Sequence, residues 1–320
     1  MQFHPLDPAS LSLPRRALLP AMPAVARTLR WWWNRTRHSR STWFDSRRWR
    51  SVWNVVRWVG AVPRQRPHLL QVRFAPGIVL ELDLSRLTDV LALCYGPGEN
   101  EVGHACRMLC PRDGVVADIG GNIGTTALAF AAAVPAGRVH VFEPSPPMLA
   151  CLRRNIALSA AGNVTVHAIA LGERTATAQL QVAIAGNPGS AYLGNEATPG
   201  ATPVPVRRLD EALADVPRLD FVKVDIEGFE LQALRGGEQT LRRHRPDVMF
   251  ECNESALRRA GCSGSEVVAF LEGLGYRMHW LDGGRLRAYD APTMLTRKLH
   301  NVVALPRERA VTDGRATAPA

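Results

Sequence analysis

The sequence predicts an α/β fold built on a mostly parallel sheet with helices on both faces. Two observations carry that expectation. Apolar segments at 114–119, 138–142, 164–170, 220–225 and 247–251 read as strands. They alternate with helical stretches at 124–133, 145–159, 229–243 and 264–274, the pattern of strands buried on both sides by crossover helices. The second is "VVADIGGNIGTTALAFA" at 115–131, a buried strand, a glycine-rich turn and a helix in succession. In open parallel sheets such a turn lies beside the ligand, beyond the carboxyl ends of the strands.

Along the chain, residues 1–66 form an N-terminal arm set apart by composition. The arm holds thirteen arginines against Asp7 and Asp45, so it carries the excess charge of a chain whose net charge is +10. Six of the eight tryptophans fall within residues 31 to 53, and Trp58 is a seventh. Trp49, Val52, Trp53, Val56 and Val59 follow helical spacing, with Arg47, Arg48, Asn54 and Arg57 off that stripe. Three roles suit such a segment. Its rings can pack in a groove of the main domain, sit at headgroup depth on an anionic membrane surface, or stack on single-stranded nucleic acid.

The main domain spans 67–307. "HLLQVRFAPGIVLELDL" reads as two strands joined at Pro76-Gly77, and "YGPGENEVGHACRMLC" as a turn entering a helix with Val102, Cys106 and Leu109 on one side. "GYRMHWLD" and "HNVVALP" read as a closing pair of strands, and residues 308–320 as a disordered tail. The six cysteines contain no CxxC pair, which implies reduced thiols and a cytoplasmic compartment. No run of about 18 apolar residues marks a spanning helix. "RRALLPAMPAVA" imitates a secretion signal, but Pro20 and Pro23 interrupt its apolar part.

The glycine turn is not built for phosphate. Setting Gly121 and Gly124 on the last two glycines of a dinucleotide fingerprint puts Ile119 where the first belongs. Asp118 ends the strand, so a pyrophosphate would meet a carboxylate, and no Gly-Lys-Ser/Thr follows. The same residues suit S-adenosylmethionine, which has no phosphate and carries an ammonium and a sulfonium. Asp118 matches that charge, while Gly120 and Gly124, flanking Asn122, let the backbone approach closely. Glu143, before Pro144 and 19 residues beyond Gly124, stands where an acid accepts ribose hydroxyls. The adenine is expected against the "HAIALGE" turn, near Ala170 and Leu171. Asp118 also has a purely structural reading, as a cap for the following helix.

A third signal is "FVKVDIEGFELQALRG". Asp225 ends a strand at the cleft edge, Glu227 and Gly228 follow, and Glu251 ends the next strand. With "ADIGGNIG", "VFEP", "ALGER", "NPGSAYL", "VRRLDEAL", "KVDIEGFELQALRGG" and "RPDVMFE" in order between about residue 95 and 252, the sequence resembles the FkbM-type methyltransferases. It departs at Gly121, where that family more often carries alanine, a difference expected to be harmless. The resemblance implies a Rossmann-like class I methyltransferase fold, with a mostly parallel seven-stranded sheet and a C-terminal antiparallel pair. It further implies methyl transfer from S-adenosylmethionine to a hydroxyl on a sugar, glycolipid, polyketide or related metabolite. The arm lies outside it.

Transfer to oxygen needs a base as the bond forms, and Asp225 or Glu227 is expected to take the proton. A variant has Asp225 and Glu251 gripping a divalent ion. Lys223, inside the strand, stands with these acids among the candidate catalytic residues and has the alternative reading of neutralising their cluster. Glu227 also has a structural reading, tying down the Gly228 amide, and His104, His244 and His279 are outside candidates for the base. No Asn/Asp-Pro-Pro-aromatic motif and no Pro-Cys pair follows the fourth strand, so a nucleic-acid substrate is not expected. The rival class is a non-catalytic donor-binding module that its arm recruits to an anionic surface. The segments "AIAGNPGSAYLGNEATPG" and "NESALRRAGCSG" are expected to shape the acceptor side.

Overall fold

The computed structural model describes residues 69–83, 85–96, 101–182, 191–194, 199–282, 284–290, 299–309, 311–312 and 315–316. The basic arm falls outside these residues, as does most of the first acceptor-side segment.

The chain enters with a hairpin, β1 (Leu69–Ala75) and β2 (Ile78–Asp83), turning at Pro76-Gly77 where Gly77 takes φ +74°. Helices α1 (Leu87–Tyr95) and α2 (Glu101–Leu109) follow. The alternating core then runs β3 (Val115–Ile119), α3 (Thr125–Ala133), β4 (Arg138–Phe142), α4 (Pro146–Ser159) and β5 (Val164–His167). A small sheet comes next: β6 (Ala170–Leu171), β7 (Ala176–Val182), β8 (Ala191–Gly194) and β9 (Thr202–Arg207), in the order β6-β9-β7-β8.

The main sheet resumes after α5 (Leu209–Ala212) with β10 (Phe221–Val224), α6 (Glu230–Arg235), α7 (Glu238–His244) and β11 (Asp247–Asn253). It is completed by α8 (Glu254–Arg259), α9 (Gly264–Gly273), β12 (Tyr276–Asp282), β13 (Arg285–Ala288) and β14 (Leu299–Pro306). A short pair, β15 (Val311–Thr312) and β16 (Arg315–Ala316), ends the described chain.

The main sheet has eight strands in the order β13-β12-β14-β11-β10-β3-β4-β5. The expected seven is corrected by β13, which pairs with β12 at the edge. From β11 to β5 the strands are parallel, and β14 and β12 are antiparallel additions. Alternate residues feed two cores. Val116, Phe221, Met249 and Val303 face one, and Ala117, Val222, Phe250 and Val302 face the other. This is the two-sided burial that near-continuous apolar strands require.

Three expected elements come out differently. The strand at 164–170 stops at His167, because Ala170 leaves the main sheet to pair with Val206 of β9. The helix at 229–243 breaks at Gly236-Gly237, where the chain presses on a neighbour: a Cβ at Gly236 would lie 2.0 Å from the Gly172 carbonyl oxygen. Part of the tail is tied down, Glu308 to Arg245 and Arg309 to Asp247.

Candidate functional site

The chain fills β3, β4 and β5 outward on one side, then returns through β10 and β11 on the other. The order reverses between β3 and β10, the place where such sheets open a crevice. A cleft of about 430 Å³ lies there, within the ordinary range for a small-molecule site.

The glycine turn forms the cleft's floor. Gly120, at φ +90°, lies so close to the β10 tip that a Cβ would fall 1.9 Å from the Asp225 carbonyl oxygen. Its amides point inward. Gly120 and Gly121 both donate to the Phe142 carbonyl at 3.0 Å, and Asn122 donates to Glu143 Oε2 at 2.8 Å. A phosphate would need those N–H groups facing the ligand. Gly124, at φ +94°, starts α3 and stays off the cleft lining. At Gly121 the space is filled by a neighbour, since a Cβ would fall 2.1 Å from Val141 Cγ2. An alanine would have to displace that side chain.

Glu143 lines the cleft with both oxygens anchored, Oε2 by Asn122 N and Oε1 by Ser145 N at 2.8 Å. Each oxygen keeps a lone pair for a ligand hydroxyl. Burial raises its pKa to about 7 against those two bonds. Pro144, Asn122, Ala170 and Leu171 also line the cleft, and Asn122 Oδ1 is buried without a hydrogen-bond partner.

Asp118 is placed differently from expectation. It is fully buried and absent from the cleft lining. It accepts from Thr126 Oγ1 at 2.7 Å and pairs with Lys223 at 3.5 Å. It therefore acts on the cleft through Thr126 and Lys223, and its bond to α3 reaches the Thr126 hydroxyl in that helix's first turn. Its pKa is raised by burial, which Lys223 opposes.

Lys223 lies beneath the acids, its Nζ 3.3 Å from Asp225 Oδ2 and 3.2 Å from the Gly120 carbonyl oxygen to which it donates. Burial would lower its pKa, but Asp225 and Asp118 outweigh that and hold it charged. Asp225, Glu227 and Glu251 line one end of the cleft. Glu227 adopts φ +56°, a conformation rare for a non-glycine residue and common where strain serves a site. Its pKa is raised by burial and by Asp225, with Arg259 pulling it back. Glu251 is raised well above the usual range by burial and then by Asp225, Glu227 and Glu230.

The structural role offered to Glu227 belongs to Glu230. Its Oε1 accepts from Ile226 N at 3.0 Å and Gly228 N at 3.2 Å, tying down the whole turn. Burial raises its pKa to about 7. The signal was available in the sequence as a second glutamate inside "DIEGFE". The small sheet adds Leu180, Tyr192 and Leu193 to the cleft wall, and Tyr192 lies under the Arg259 guanidinium at 4.2 Å. Tyr192 and Leu193 belong to the segment expected to shape the acceptor side, whereas Leu180 of β7 was not foreseen, because the small sheet reaches the cleft only by tertiary folding. His104, His244 and His279 stay off the lining. Among the described residues no three His, Cys, Asp or Glu side chains are grouped as a metal site. Lys223 supplies the positive charge between Asp118 and Asp225.

The family profile of the methyltransferase FkbM domain matches residues 118–278, half of the chain. The chain belongs to that family. Methyltransferase 1 of Beauveria bassiana (strain ARSEF 2860) is 30% identical over 148 residues, covering 39% of this chain and 59% of its own. Methyltransferase sdnD of Sordaria araneosa is 28% identical over 162 residues, covering 40% and 62%. The chain thus spans about three fifths of the length of these curated relatives. Among solved structures it is similar to methyltransferase FkbM from Methylobacillus flagellatus KT, with a TM-score of 0.41 and 18% identity over 61% of this chain and 44% of that one.

The residues present fit S-adenosylmethionine. Inward-turned amides leave no phosphate cradle, Glu143 offers lone pairs for ribose hydroxyls, and Ala170 and Leu171 give an apolar strip for a base.

Proposed function

We propose that this FkbM-family chain is an S-adenosylmethionine-dependent methyltransferase acting on a hydroxyl of a sugar, glycolipid, polyketide or related metabolite. The observation that carries the reading is the glycine turn spending its amides on Phe142 and Glu143, beside an acid cluster at the tips of β10 and β11. When bound, the donor supplies an electrophilic methyl group whose bonding pair departs to sulfur. The protein's work is to align the acceptor oxygen and remove its proton.

Glu227 suits proton removal best. Burial and the Asp225 charge raise its affinity for a proton, and a base works best when its pKa approaches the working pH. Asp225, held by Lys223, orients the hydroxyl. Glu251, with its pKa pushed up by burial and its neighbours, can hold a proton and donate a hydrogen bond to the acceptor. Lys223 keeps the cluster from repelling itself apart.

Calorimetry with S-adenosylmethionine and its demethylated product tests the donor, and a labelled-donor panel of acceptors tests transfer. Glu227→Gln is expected to lower kcat about 100-fold or more while the donor still binds. Unchanged transfer in both Glu227→Gln and Asp225→Asn would remove the roles given to these acids, and donor binding with no transfer to any acceptor would leave only the non-catalytic module. Activity surviving exhaustive EDTA treatment removes the divalent-ion variant. The arm's arginines and tryptophans support contact with an anionic membrane, tested by liposome co-sedimentation with and without residues 1–66. Among the described residues no helix is long and apolar enough to cross a membrane.

A further inference from the structure

We propose that Asn155 is a positioning residue for the donor end of the cleft, locking the β1–β2 hairpin to the glycine turn so that donor binding and hairpin order are coupled. The inference rests on the donor reading above. The hairpin precedes the stretch matched by the family profile, yet one fully buried side chain hydrogen-bonds to both hairpin and turn.

Asn155 projects from α4 and uses both ends of its amide. Its Oδ1 accepts from the Glu81 amide of β2 at 2.7 Å, and its Nδ2 donates to the Ile123 carbonyl at 2.8 Å. Ile123 lies between Asn122 and Gly124, both at positive φ. Phe142 and Glu143 hold the amides of this turn, and Asn155 holds the carbonyl they leave over. Ile123 itself packs with Leu80, Leu82 and Met148 in the core under the hairpin. The helix that follows the hairpin, α1, contributes Thr88 and Leu91 to the cleft lining. Hairpin, turn and wall are therefore one mechanical unit with Asn155 as the joint.

Few other side chains can replace it. Aspartate keeps the acceptor for Glu81 N but sets a carboxylate oxygen against the Ile123 carbonyl, and leucine removes every bond, including the long 3.5 Å one that Nδ2 donates to the Glu81 carbonyl. One turn on, Ser159 provides a natural control. Its Oγ accepts from Val79 N at 3.0 Å and donates to the Val79 carbonyl at 2.9 Å. It clasps the same hairpin from the same helix face, and its bonds do not reach the glycine turn.

The probe is S-adenosylhomocysteine, measured by calorimetry on the full chain. Asn155→Asp and Asn155→Leu are expected to weaken its binding at least tenfold, while Ser159→Ala stays within twofold and still lowers Tm. Coupling is reciprocal, so saturating probe on the unmutated chain is expected to slow hydrogen exchange at the Glu81 amide severalfold. That arm stands even if an Asn155 variant does not fold. The inference is overturned if the Asn155 variants bind within twofold of the parent, if Ser159→Ala loses as much affinity, or if Glu81 exchange does not change. A parent chain that takes up no probe overturns the donor reading, and this coupling with it. Binding by the parent and its variants alike overturns the coupling alone.

Discussion

Glu143, Asp225, Glu227 and Glu251 line the cleft around the Lys223 ammonium, with Asp118 buried on the far side of that lysine and Glu230 beneath the turn. Acids crowded out of water resist ionisation, and the buried ones among these relieve that cost in different ways. Asp118 and Asp225 share Lys223, Glu143 and Glu230 take backbone amides, and Glu251 has its pKa pushed far up. Glu230 gives a clean pH prediction. Its folded pKa of about 7 stands above the ordinary 4.5, so its contribution to stability is fully present below about pH 4.5 and lost as the pH rises through 7. Glu230→Gln keeps the acceptor oxygen without the charge. The variant is expected to gain on the parent by roughly 1–3 kcal/mol across that window and run parallel above it. Urea melts at pH 4.5, 6 and 8 check this, and a constant difference would refute it.

Lys223 gives the complementary case. Replacing it by methionine leaves Asp118 and Asp225 without their cation, and Asp118 has no water to turn to. The expected loss is about 3–5 kcal/mol. Lys223→Met combined with Asp118→Asn should recover part of it, because the buried charge is then gone. Thermal melts of the single and double variants measure the recovery, which would be absent if Lys223 served only the exposed acids.

Among the elements, α7 depends on a residue outside itself. Asp210 of α5 accepts from Thr240 N and from Thr240 Oγ1, both at 2.8 Å, satisfying a first-turn amide across the helix junction. The break at Gly236-Gly237 makes this necessary, since it creates a new helix start with open N–H groups. Asp210→Ala is expected to cost about 1 kcal/mol, and the loss should appear as faster hydrogen exchange in α7 rather than in α6. Equal protection in both variant and parent would show that the cap is idle.

For the whole molecule, the far end of the chain closes the bottom of the sheet. Arg309 pairs at 3.0 Å with Asp247, whose side chain is wholly buried at the start of β11, and it donates to the Leu109 carbonyl. Asp247 has its pKa raised to about 7 by burial, with Arg309 holding it down. Ending the chain at residue 307 removes that cation and the Glu308–Arg245 pair. The truncated chain should lose roughly 3 kcal/mol at pH 8, and less at pH 5, where Asp247 can take a proton instead. Equal melting of both chains at pH 8 would mean that the tail is dispensable.

Much of this was legible in the primary structure, because the signals were local. Strand–turn–helix order, the hairpin at Pro76-Gly77 and the phosphate-unfriendly turn follow from periodicity and residue type within a few positions. The sequence also sets Asp225 just beyond β10 with Glu227 in the turn that follows, whereas Glu251, expected to end its strand, lies inside β11, which runs on to Asn253. Tertiary folding alone decided the rest. It sent Asp118 inward and kept Glu143 at the surface of the cleft, although both end strands. It gave the turn-tying role to Glu230 and added the β13 edge. It brought Tyr192 over the cleft and set Asn155 between two segments that lie far apart in the chain. The physical reason is that periodicity tells a side chain which face of its own element it shares. Only packing tells it what stands opposite, and a buried polar group is defined by that partner.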